Sequence, residues 1–112
     1  MSNASALPHG SDPAPIFAAL GDGTRLSLLA KLSDGQAHSI VKLSADSVLT
    51  RQAVTKHLRV LEDAGLVRSQ RSGRESLFAF RPEALLDAKA YLDAVSQQWD
   101  DALSRLRAFV ER

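Results

Sequence analysis

The chain contains no cysteine. Disulfide staples, thiolate metal sites and thiol redox switches are therefore excluded. No apolar run approaches the roughly 20 residues that span a bilayer. The first residues, Met1-Ser2-Asn3-Ala4-Ser5, carry no positive charge and lead into no apolar stretch, so no secretory leader is expected. A cytosolic protein without membrane association is the expectation. There is no internal repeat and no low-complexity segment. No Ser/His/Asp grouping, glycine-rich phosphate loop or carboxylate pair with a cleft stands out, and a small domain has little room for a pocket, so an enzyme is not expected. Net charge is also small, at +1, and by itself says nothing about a nucleic-acid partner.

What is present suits one globular domain: 112 residues, 45% hydrophobic and 24% charged. The distribution of charge is more informative than its sum. Residues 51–81 hold seven positive side chains (Arg51, Lys56, Arg59, Arg68, Arg71, Arg74, Arg81) against three negative ones, while residues 82–112 hold four against six. A local basic patch on a near-neutral chain is the footprint of a nucleic-acid binder, although a solvated face can look the same.

Residues 1–12 are rich in Ser, Asn, Ala, Pro and Gly and read as a loose tail, with one domain over 13–112. Pro13 and Pro15 suit the first turn of a short helix through Ile16 to Leu20, ended by Gly21. Asp22, or else Thr24, caps a second helix whose Leu26, Leu29 and Leu32 recur at helical spacing, with Leu28 on a flank. Asp34-Gly35 stops it. Gln36 to His38 form a short connector or single strand. Ser39 caps a third helix carrying Ile40 and Leu43, and Asp46-Ser47-Val48 make a turn. Thr50 caps a fourth helix, Arg51 to Asp63, with Val54, Leu58 and Leu61 inward and Gly65 at its end. Two strands follow, Leu66–Arg71 and Glu75–Phe80, around Ser72-Gly73-Arg74. Pro82 then opens a helix of nearly eight turns. The expected fold is mainly α with a small β-hairpin: a winged helix-turn-helix of about five helices and a two- or three-stranded wing.

Two helices joined by a short turn, the second amphipathic with polar residues outward, fit a DNA major groove about 12 Å wide. Arg51, Gln52, Thr55, Lys56 and Arg59 occupy the outer face. Gln can pair with adenine, Arg or Lys with guanine, and Thr can touch the thymine methyl. Thr50 and the free amides of the first turn suit a phosphate. In the wing, Arg71 and Arg74, with Arg68, can enter a minor groove or grip phosphate. The last helix carries an apolar stripe too long for one small domain to cover. Leu92, Val95, Trp99, Leu103 and Leu106, helped by Ile16 and Phe17, are the expected contacts with a second copy.

Residues 49–67, Leu-Thr-Arg-Gln-Ala-Val-Thr-Lys-His-Leu-Arg-Val-Leu-Glu-Asp-Ala-Gly-Leu-Val, closely resemble the recognition helix and first wing strand of the ArsR (SmtB-like) repressors. Phe17 to Leu26 resembles that family's opening signature, and Arg68 to Phe80 its wing. The resemblance spans roughly residues 14–112. It implies a bacterial homodimer that binds double-stranded DNA at a partly palindromic operator, usually as a repressor, and is nucleoid-associated when bound. Two positions depart from the pattern. Gly23 stands where the family usually has proline, and Val48 where the turn usually has glycine.

Many such relatives sense metal through ligands at set positions. Ser39 and Val41 stand where one group places a Cys-x-Cys pair, and neither binds a soft metal. Where another group has Asp-x-His, this chain has Asp87-x-Lys89, followed by Asp100. The three histidines, His9, His38 and His57, fit no ligand spacing. No metal and no cofactor is expected, and the effector is unknown. The last helix resembles a branch without metal sites, through Trp99, Leu103 and Leu106. Two alternatives stay open at this level: a metal-responsive repressor with a non-standard site, and a winged helix used only for protein contacts.

Overall fold

The computed structural model describes residues 12–111; apart from Asp12, the expected tail lies outside them. The described elements run α1 (Ala14–Leu20), α2 (Gly23–Leu32), β1 (His38–Ser39), α3 (Ile40–Ser44), α4 (Arg51–Asp63), β2 (Val67–Ser72), β3 (Glu75–Phe80) and α5 (Pro82–Val110). This is the order of a winged helix-turn-helix, as expected. Each helix start has a local cause. Asp22, not Thr24, caps α2: its carboxylate accepts the Arg25 N–H at 3.0 Å. Ser39 Oγ accepts the Lys42 N–H at 3.1 Å, and Thr50 Oγ1 accepts the Ala53 N–H at 3.1 Å. Each cap satisfies a donor that a helix start leaves orphaned, worth about 1 kcal/mol. At the far end of α4 the Gly65 N–H donates to Glu62 O and the Leu66 N–H to Leu61 O, both at 2.9 Å. Gly65 has φ +81°, the left-handed conformation this ending requires.

The sheet is antiparallel in the order β1-β3-β2. Ser72 pairs with Glu75, leaving Gly73-Arg74 as a two-residue loop with Gly73 at φ +62°. The connector after α2 does include a strand, displaced by one residue from the expected segment. His38 pairs with Phe78 and Ser39 with Leu77, so the wing has three strands. Phe78, at the centre of the middle strand, is completely buried.

The core gathers Leu28, Leu29 and Leu32 of α2, Leu43 of α3, and Val54, Leu58 and Leu61 of α4 under Leu66, Val67 and Phe78. Burying each of the larger side chains contributes about 1.5–3 kcal/mol. Two expectations need correction. Leu26 is 50% exposed, whereas Leu28, placed on the flank, is 3% exposed. At about 100° per residue, positions 28, 32 and 29 share one arc and position 26 falls about 60° outside it. Ile16, expected at the pairing surface, is only 7% exposed and lies in this chain's own core beside Ala19. Helix α1 packs on α2, α4 and the start of α5, and that packing covers Ile16.

Helix α5 touches the core only at its start, where Ala88 is buried and Ala84 and Leu85 partly so. Phe17 of α1 meets Tyr91 with ring centroids 6.0 Å apart. Beyond that point the helix projects, and the molecule measures 67 × 28 × 26 Å. Among the described residues, no helix is long and apolar enough to cross a membrane.

Candidate nucleic-acid interface

The 13-residue α4 divides cleanly by face. Val54, Leu58 and Leu61 are buried and seat it on the core. Gln52 and Lys56 are exposed on the opposite side, and Arg51 is exposed at the first turn, on the flank of the buried stripe. None of these three forms a side-chain hydrogen bond or ion pair with any described residue, so their donors and acceptors are free for a ligand. Thr50 stands at the same end, its hydroxyl occupied as the cap. Thr55 is half-buried, and its hydroxyl donates to the Arg51 carbonyl at 2.7 Å.

Arg59 differs from its neighbours. Its Nη1 donates to Glu62 Oε1 at 2.8 Å, and its guanidinium lies 5.7 Å from the centre of the Phe78 ring. Glu62 in turn accepts from the Ser69 hydroxyl at 2.6 Å. The Ser69 hydroxyl beside Glu62, then Arg59, hold its carboxyl below the usual carboxylate range. Arg59 was expected among the DNA contacts; here it is half-exposed, paired with Glu62 three residues on in the same helix, and reaches the wing through Phe78. The pairing with Glu62 is within reach of helical spacing, whereas the contact with Phe78, on β3, is not.

A second tie was not anticipated. Arg25 Nε donates to Ala19 O at 2.6 Å and Nη2 to Ala18 O at 3.3 Å, capping the end of α1. Its Nη1 lies 3.3 Å from His57 Nδ1 on α4. Asp22 Oδ2 is 3.8 Å from the same Nδ1. His57 thus faces α1 and α2 and not the outer surface. One signal was available in the sequence: an arginine in the first turn of a helix opposes the helix dipole and needs a partner outside it.

Arg68, Arg71 and Arg74 of the wing are all exposed, with Arg74 in the loop. Arg68 and Arg71 lie on opposite faces of β2, because side chains alternate along a strand. Along α5, Leu92, Trp99, Leu103 and Leu106 are exposed, Trp99 by 64%. Val95 and Phe17 are half-buried. Among the described residues, no group of three or more His, Cys, Asp or Glu could hold a metal ion. His38 is buried, and its Nε2 donates to Asp34 at 2.9 Å.

The family described as "Helix-turn-helix domain" matches residues 20–70, from the end of α1 into β2. The chain is 45% identical to the uncharacterized HTH-type transcriptional regulator YuzN of Bacillus subtilis, over 62% of this chain and 83% of that one. It is 33% identical to the HTH-type transcriptional repressor SmtB of Mycobacterium tuberculosis, over 79% of this chain and 63% of that one. The structure of an ArsR-like transcriptional regulator from Rhodococcus sp. RHA1 superimposes with a TM-score of 0.75 at 33% identity, covering 87% of this chain and 91% of that one. The chain belongs to the ArsR family of DNA-binding, winged helix-turn-helix transcriptional regulators.

Proposed function

We propose that the protein is a repressor that binds a partly palindromic operator as a homodimer. In this reading α4 enters the major groove, with Gln52 and Lys56 at base edges and Arg51 and Thr50 at the flanking phosphate. Arg71 and Arg74 of the wing hold the adjacent backbone. The observation that carries it is the set of exposed, unpartnered polar side chains at the start of α4, Gln52 and Lys56 on its outer face and Arg51 in its first turn, on a helix seated by Val54, Leu58 and Leu61. Phosphate contacts would position the protein and the base-edge contacts specify the site. Pairing is assigned to the exposed stripe of α5. Two reading heads in successive major grooves must stand about 34 Å apart, a separation that one 112-residue domain does not supply with a single recognition helix.

The test begins with selection of bound genomic fragments by the purified protein, which yields the operator. Gel shifts on that operator should then show Gln52→Ala and Lys56→Ala losing sequence-specific binding while the protein stays folded. Unchanged specificity in both variants would remove α4 as the reader.

A further inference from the structure

We infer that Thr55 reads DNA through its methyl group, recognising the C5-methyl of a thymine and not a hydrogen-bonding base edge. This rests on the reading above, in which α4 occupies the major groove. A threonine side chain offers two different branches, a hydroxyl and a methyl. The hydroxyl has one hydrogen, and at this position it is committed to the Arg51 carbonyl one turn back, at 2.7 Å. A base acceptor such as guanine O6 or thymine O4 would have to break that bond to receive it, and the remaining way for the hydroxyl to read a base, as an acceptor from adenine N6 or cytosine N4, is removed in Thr55→Val. The methyl has no such commitment.

The neighbours on α4 divide the remaining work. Arg51 and Arg59 lie one turn before and one turn after Thr55, in the same row of the helix surface. Arg59 is paired with Glu62 at 2.8 Å and lies over Phe78, so its guanidinium is directed toward β3. Gln52 and Lys56, exposed and unpartnered, supply the hydrogen-bonding contacts. Thr55 is half-buried beside that polar surface, and a methyl there gains by being withdrawn from water against another methyl. Thymine is the base whose major-groove edge carries a methyl group.

The experiment uses the full chain and its selected operator, with each thymine in turn replaced by deoxyuridine, which lacks only the C5-methyl. Wild-type protein should lose about fourfold in affinity at one thymine per half-site, the effect of one methyl group returned to water. Thr55→Val keeps the methyl and removes the hydroxyl; it should retain the penalty for uracil. Thr55→Ser keeps the hydroxyl and removes the methyl; it should bind the thymine and uracil operators equally. Circular dichroism melts show whether either variant is folded, and the uracil series on wild-type protein needs no variant.

The reverse pattern, with Thr55→Ser discriminating and Thr55→Val indifferent, would assign recognition to the hydroxyl and overturn the inference. Indifference of wild-type protein to every uracil would also overturn it. If Gln52→Ala and Lys56→Ala still abolished specific binding in that case, α4 would remain the reader and only the role of Thr55 would fail. If those variants changed nothing either, the groove placement itself would fail.

Discussion

Gly23 opens α2 with no need of its freedom. A Cβ at that position would meet nothing within 4 Å. Asp22 ahead of it has φ −146° and ψ 130°, the extended geometry that a following proline favours. Gly23→Pro should therefore stabilise the fold by about 0.5–1 kcal/mol, since proline suits a first helical turn and restricts the unfolded chain. Urea denaturation would register the gain as a higher midpoint. Gly65 is the opposite case. Its Cβ would also meet open space, but its φ is +81°. Gly65→Ala should cost about 1–2 kcal/mol through backbone strain alone. A neutral result would mean that the turn after α4 can adopt another ending.

Among the elements, α4 and the wing are coupled by Glu62, which accepts from both Arg59 and Ser69. Glu62 has a folded pKa below its ordinary 4.5, and Asp22, Asp34 and Asp46 have folded values below 3.8. The Arg25 N–H lowers Asp22, the Gln36 N–H lowers Asp34, and the Lys31 ammonium lowers Asp46. A depressed folded pKa means that the unfolded chain binds protons first as pH falls. The stability from these groups is present above their ordinary values and is lost as pH drops through the lower folded ones. Thermal melts should show Tm falling between about pH 5 and pH 3, and Glu62→Gln should make that fall shallower. An unchanged slope would separate Glu62 from the acid response.

The same scale shows what could be read from the sequence. Helix starts and ends were legible because caps and the left-handed glycine act within four residues: Asp22, Ser39, Thr50 and Gly65 all stand where local chemistry puts them. The hairpin was legible from its alternation and its glycine. The inner face of α2 was not. Four leucines spread around a short helix leave its rotation undecided until α4 and β3 are in place. The contact of Arg25 with His57, that of Arg59 with Phe78 and the burial of Ile16 fall in the same class, since they depend on elements distant in the chain. The outward pair Gln52 and Lys56 was legible because it is the complement of the buried stripe on one helix, and the exposure of Arg51 because it opens the first turn.

At the scale of the molecule, α5 is about 43 Å long by its rise of 1.5 Å per residue over 29 residues. Only its first turns join the core. If the exposed stripe pairs two copies, Trp99→Glu should shift the sedimentation profile toward the monomer at micromolar concentration, while the melting transition of the head persists. An unaltered dimer would place pairing elsewhere. Binding to the operator should also weaken steeply with salt, by a logarithmic slope of about −0.9 for each phosphate neutralised. Arg74→Ala should reduce that slope by about one if Arg74 grips phosphate.

The projection of α5 separates two events that obligate dimers merge. The hydrophobic residues that fold the reading head come from α1 to β3 and the first turns of α5. A single copy could therefore hold its shape without a partner. If α5 pairs two copies on a two-part operator as proposed, operator occupancy would depend on how many copies the cell makes, since pairing follows mass action and folding does not. Protein abundance would then itself be a control over the regulated gene, before any effector is involved.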